Sequence, residues 1–112
     1  MKSNEAVLAL AALAQPHRLS VFRQLVVAGQ AGLTPGALLS RLSLPAPTLS
    51  FHLKELLGSG LVSQERDGRN LIYRARFDQM RALLGFLTEN CCGGVPCAPA
   101  LVETCDPLEE PS

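Results

Sequence analysis

Three prolines constrain this chain most: Pro16, Pro35 and Pro47. Proline lacks a backbone N–H and fixes φ, so a helix tolerates it only in its first turn. Each stands at or just before a run with helical spacing. One long helix through residues 4–58 is therefore excluded, and a series of short ones with fixed starts is expected. Residues 4–14 are rich in Ala and Leu until Ala14-Gln15-Pro16-His17 interrupts them. Residues 17–28 resume helically, with Leu19, Phe22 and Val26 on one face and Leu25 beside them. Residues 29–32 read as a loop. Thr34 offers an N-cap ahead of Pro35 for a short helix over 37–42.

Residues 43–47 form a turn, and Pro47 starts a longer helix that reaches about Gly58. Its buried stripe is Leu49, Leu53, Leu56 and Leu57. The opposite face carries Pro47, Ser50, Phe51 and Lys54, spaced i, i+3, i+4, i+7. Gly58-Ser59-Gly60 ends it. Residues 61–66 and 70–76 then alternate around Asp67-Gly68-Arg69, a strong hairpin signal. A last helix is expected over 77–90, with Met80, Leu83, Leu84 and Leu87 as its stripe and Cys91 continuing it. Residues 98–112, acidic and interrupted by Pro99, Pro107 and Pro111, read as a flexible tail.

At 112 residues and 47% apolar, this is one domain with ample material for a core. It divides into a folded unit over residues 1–90 and a cysteine-containing, acidic segment over 91–112. No apolar run approaches the roughly 18 residues a membrane span needs, so no membrane partner is expected. Residues 1–14 lack a convincing basic flank and cleavage site, and a cytoplasmic location is expected. Zero net charge conceals an asymmetry. Residues 41–76 hold six basic side chains (Arg41, Lys54, Arg66, Arg69, Arg74, Arg76) against three acidic ones. Residues 89–112 hold five acids and no Lys or Arg. A basic middle is consistent with a polyanionic partner or with an ordinary charged surface.

A short helix, a tight turn and a second helix with an exposed polar face make a helix-turn-helix, and the basic hairpin behind it makes a wing. The expected fold class is mainly α with a β-hairpin wing. In that arrangement the second helix enters the major groove N-terminus first. Pro47 opens that helix, and Thr48 and Ser50 can bond base edges or phosphates. Phe51 can meet a thymine methyl or pack under the wing, and His52 can read a base or cap local hydrogen bonds. Lys54 can neutralise a phosphate, and Arg66 and Arg69 can grip backbone or enter the minor groove.

Ser50-Phe51-His52-Leu53-Lys54-Glu55-Leu56, then Ser59-Gly60-Leu61-Val62 and Glu65-Arg66-Asp67-Gly68-Arg69-Asn70-Leu71-Ile72-Tyr73, resemble the signature of ArsR/SmtB winged-helix metalloregulatory repressors. Leu13-Ala14-Gln15-Pro16-His17-Arg18-Leu19 is similar to that family's opening. The resemblance covers roughly residues 5–90. It implies a dimeric winged helix-turn-helix, a homodimer built from the first and last helices. It also implies binding to palindromic double-stranded operator DNA that an effector releases.

The remaining constellation is Cys91-Cys92, with Cys97 close behind and Cys105 in the tail. Neighbouring Cα atoms lie about 3.8 Å apart, short of the ~4.4 Å minimum of a relaxed disulfide. Cys91 and Cys92 are therefore poor partners for each other, but both can ligate one soft ion, with Cys97 folding back as a third thiolate. Gly93 and Gly94 allow that reversal, and Pro96 fixes the approach of Cys97. Thr88-Glu89-Asn90-Cys91-Cys92 with a downstream cysteine resembles the arsenite- and antimonite-responsive subgroup of the family, in which three thiols bind As(III). As(III) or Sb(III) is thus the expected effector, and no organic cofactor is expected. Zinc or another soft metal, with Cys105 as a fourth ligand, stays open, as do methylated arsenic and thiol oxidation. An enzyme of another class, a small thiol-dependent reductase, finds no Cys-x-x-Cys and no βαβ pattern to support it.

Overall fold

The computed structural model describes residues 1–94. Five helices are present among them: α1 (Ser3–Leu13), α2 (Pro16–Ala28), α3 (Pro35–Arg41), α4 (Ala46–Gly58) and α5 (Phe77–Leu87). The strands β1 (Val62–Asp67) and β2 (Asn70–Ala75) lie between α4 and α5, and 3-10 turns occupy Gly29–Ala31 and Cys91–Gly94. The expected tail, with Cys97 and Cys105, lies outside the described residues.

Helix starts fall where the prolines put them. The Gln15 side chain accepts from the Arg18 backbone N–H (2.8 Å) ahead of Pro16. Thr34 Oγ1 accepts from the Ala37 N–H (3.2 Å) ahead of Pro35. Each cap satisfies a donor that the first helical turn leaves open. α4 begins one residue before Pro47, so that proline still sits in the first turn.

One apolar core joins the helices. Val21, Leu25, Leu38, Leu49, Leu56 and Leu61 are its fully buried large side chains. The α4 stripe is as expected at Leu49, Leu53 and Leu56, while Leu57 is only half-buried and His52 joins the buried set. On α2 the expected stripe is displaced. Leu19 is exposed, and Val21, Phe22 and Leu25 face the core. Apolar residues surround much of α2, so its periodicity did not define a single face.

α1 is unusual in its distribution of bulk. Its buried residues are Ala6, Ala9 and Ala12, whereas Val7, Leu8 and Leu10 are exposed. Small inner residues let α1 lie close to its neighbours α2, α4 and α5.

β1 and β2 pair antiparallel, from Val62 opposite Ala75 to Asp67 opposite Asn70. The two-residue loop Gly68-Arg69 has a positive φ at Gly68 alone (67°), the pattern of a type II′ turn. A third segment joins the hairpin. The Leu33 N–H donates to the Tyr73 carbonyl (2.9 Å), and the Tyr73 N–H donates to the Leu33 carbonyl (2.8 Å). This pairing anchors the wing to the body through Leu33, between the residue 29–32 loop and the Thr34 cap.

α5 stops at Leu87, three residues short of expectation. Thr88 Oγ1 donates back to the Leu84 carbonyl (2.8 Å), and Asn90 takes a left-handed φ of 59°. Asn tolerates that conformation and ends helices by it. Cys91 therefore opens a separate 3-10 turn and does not extend the α5 stripe. Of that stripe only Leu83 is buried and Met80 half-buried, while Leu84 and Leu87 are exposed.

Candidate nucleic-acid interface

α3 and α4 are joined by a four-residue turn, residues 42–45, and α4 presents one face outward. Pro47, Ser50, Phe51 and Lys54 are all exposed, as the helical spacing required. Phe51 is 54% exposed, so it does not pack under the wing. Thr48 is half-buried at the flank of this face. Arg66 and Arg69 are exposed on either side of the Gly68 turn. Among the described residues, no ion pair involves Lys54, Arg66 or Arg69.

The other basic side chains of the middle region are occupied. Arg74 Nε donates to the Gln30 carbonyl (2.7 Å), and its Nη1 donates to Glu65 (2.6 Å). Arg76 pairs with Asp78 at 3.2 Å. Arg41 Nη1 donates to the Gln24 side-chain oxygen (3.3 Å). Within residues 41–76, the positive charge without such a partner therefore lies on α4 and the wing tip.

Of the two roles open to His52, its burial sets aside base reading and fits the local hydrogen bond. It is 6% exposed and turns inward toward α2. Its Nδ1 lies 3.5 Å from Arg18 Nη1, its ring centroid 5.9 Å from that of His17, and Phe51 stands on its other flank at 5.6 Å. Arg18 Nε donates to the Ala12 carbonyl (2.7 Å), one of the acceptors left open at the end of α1. Burial, then the Arg18 guanidinium and His17, push the His52 imidazole below its ordinary value of 6.5, with Glu55 opposing them. The sequence reading missed Arg18 as a functional position. Its signal was an arginine on the inner face of α2, where a charge is held only with partners.

The thiol constellation is described in part. Cys91 is half-buried, and its N–H donates to the Thr88 carbonyl (2.9 Å). Cys92 follows in the same 3-10 turn, and the Gly93 N–H donates to the Asn90 carbonyl (3.1 Å). Cys97, the expected third ligand, lies outside the described residues. Among the described residues, no three His, Cys, Asp or Glu side chains converge on a metal position. No helix there is long and apolar enough to cross a membrane.

Helix-turn-helix, hairpin wing and flanking helices define a winged-helix protein. Residues 13–65 match the family model of a helix-turn-helix domain. The chain is 34% identical over 80 residues to the nodulation protein NolR of Rhizobium meliloti, an alignment covering 71% of this chain and 63% of NolR. This chain therefore spans just under two thirds of that relative's length. HlyU from Vibrio cholerae N16961 is 31% identical, with a TM-score of 0.64 over 82% of this chain and 99% of HlyU. An ArsR-like transcriptional regulator from Rhodococcus sp. RHA1 is 25% identical, with a TM-score of 0.70 over 81% of this chain and 82% of that one. Residues 13–65 thus carry a helix-turn-helix domain, and the chain is similar to winged-helix transcriptional regulators, an ArsR-like one among them.

Proposed function

We propose that this chain is a cytoplasmic repressor that binds double-stranded operator DNA as a homodimer and dissociates when As(III) or Sb(III) is held by Cys91, Cys92 and Cys97. The observation that carries the DNA reading is the shared exposure of Pro47, Ser50, Phe51 and Lys54 on α4 and of Arg66 and Arg69 on the wing. Exposed Ser can bond base edges or phosphates, and Phe can meet a thymine methyl. Lys and Arg release condensed counterions from the backbone, which makes binding salt-dependent.

The effector reading is supported by donor chemistry. Cys91 and Cys92 sit together in a 3-10 turn separated from α5 by residues 88–90, and Cys97 is five positions beyond Cys92. As(III) takes three sulfurs, whereas Zn(II) prefers four ligands in a tetrahedron. Thiolates must be deprotonated to bind, and closing residues 93–97 onto the end of α5 reorganises the segment beside the proposed dimer helix. By linkage, the ion must bind the DNA-free form more tightly than the DNA-bound form.

Fluorescence anisotropy of an operator duplex in reducing buffer, titrated separately with arsenite, antimonite and zinc, tests both parts. The expected result is release by arsenite and antimonite at near-stoichiometric amounts, with zinc inert. A Cys91→Ser/Cys92→Ser variant should bind DNA and ignore arsenite. DNA binding indifferent to all three ions would leave the winged helix in place and overturn the thiol sensor.

A further inference from the structure

The inward turn of His52 leaves a buried titratable group at the centre of the reading helix that base recognition does not use. Its neighbour Arg18 stays charged throughout the working pH range and carries only donors. The contact at 3.5 Å can therefore be attractive in one state alone, with His52 neutral and its Nδ1 lone pair facing the guanidinium. A proton on Nδ1 removes the acceptor and sets two cations against each other.

Arg18 also holds the end of α1 through the Ala12 carbonyl (2.7 Å). The same side chain thus touches the last turn of α1 and the middle of α4. We propose that Arg18 and His52 are positioning residues that latch the reading helix to the end of α1, and that a proton on His52 opens the latch and weakens operator binding. This rests on the reading that α4 binds DNA. The groups facing His52 are Arg18 and His17 from α2 and Glu55 from α4 itself. Two of the three oppose a further positive charge, and the imidazole is accordingly held below its ordinary range. Acid is the direction in which the latch opens.

The latch has a thermodynamic signature that packing alone lacks. If the DNA-bound form requires neutral His52, DNA must lower the proton affinity of His52 by the same factor that the proton lowers DNA affinity. Phosphates near an imidazole that takes no part in the latch do the opposite, because a polyanion favours the protonated form. The experiment uses the full chain and a duplex selected from a random pool for wild-type binding at neutral pH. The His52 ring is titrated by NMR, free and DNA-bound, and affinity is followed by anisotropy between about pH 8 and 5.5.

The expected result is a lower His52 midpoint in the complex than in the free chain. Affinity should fall toward acid below the free midpoint, by up to about tenfold per pH unit for each of the two reading helices. His52→Asn should flatten the profile and bind more tightly than His52→Ala, because the Asn Oδ1 can accept from Arg18. His17→Asn should keep the slope. An unchanged or raised His52 midpoint in the complex overturns the latch alone, and it needs no variant to fold. No duplex bound at any pH overturns the DNA reading and the latch with it.

Discussion

Gly32 is the residue whose substitution tests the wing's attachment. Its φ is +69°, and a Cβ there would lie 2.6 Å from Ile72 Cγ2 and 2.7 Å from the Tyr73 carbonyl oxygen. That carbonyl accepts from Leu33, so it cannot retreat without opening the pairing that holds the hairpin to the body. Gly68 has a similar φ of +67° but open space around it. Gly68→Ala should cost about 1–2 kcal/mol, the ordinary penalty of a left-handed L-residue. Gly32→Ala should cost about 2–4 kcal/mol, because overpacking adds to it. Thermal melting of both variants checks this, and equal losses would show that the close approach carries no energy. His52 makes a second prediction at this scale. Its folded value lies below 6.5, so the unfolded chain takes up the proton first as pH falls. Stability should be full above about 6.5 and decline below it until the folded His52 also protonates, a slope that His52→Asn should lack. Neither feature was legible in the sequence. Gly32 stood in a run that read as loop, and the close contact depends on strand residues forty positions away. His52 fell between an exposed stripe and a buried one, and only its packing against α2 decides which way it turns.

The elements were more legible than the residues, because local chemistry specifies them. Pro16, Pro35 and Pro47 fix three helix starts, Thr34 caps one of them, and Asp67-Gly68 fixes the hairpin register. What escaped is the end of α5, where Thr88 and Asn90 terminate the helix although the hydrophobic spacing invites one more turn. The wing is where element and function meet. Arg69 lies at its tip, outside the ion pairs found among the described residues, whereas Arg76 at its base is paired with Asp78. Arg69→Gln should weaken DNA binding and reduce the slope of log K against log salt by about 0.9 per subunit, about 1.8 for the dimer, the value of one lost phosphate contact on each wing. Arg76→Gln should leave that slope unchanged, since its charge is already answered within the protein. Anisotropy at four or five salt concentrations separates the two, and equal effects would mean the wing tip does not touch the backbone.

On the scale of the whole molecule, α1 packs its alanines inward and its large side chains outward. Burial normally orders a helix the other way. Val7 is 60% exposed, Leu8 and Leu10 on the same helix are exposed, and Leu84 and Leu87 are exposed on α5, which packs against α1. Such an apolar area on a small domain marks a surface that another protein covers. A second copy fits the functional reading, because a palindromic site needs two reading helices about one helical turn apart. Residues with so little contact in the single chain contribute little to its own stability, so their substitution separates assembly from folding. Val7→Lys/Leu84→Lys should therefore melt near the wild-type temperature as an isolated fold, yet sediment as a monomer at micromolar concentration. Its affinity for a full palindrome should drop at least about a hundredfold, since the second half-site no longer adds through linkage of the two heads. α2 supplies the control: Val27 is 79% exposed on a different helix, and Val27→Lys should leave both sedimentation and DNA affinity unchanged. A Val7→Lys/Leu84→Lys protein that still sediments as a dimer, with Val27→Lys monomeric, would move the interface to α2. The outward side chains of α1 would then need another partner.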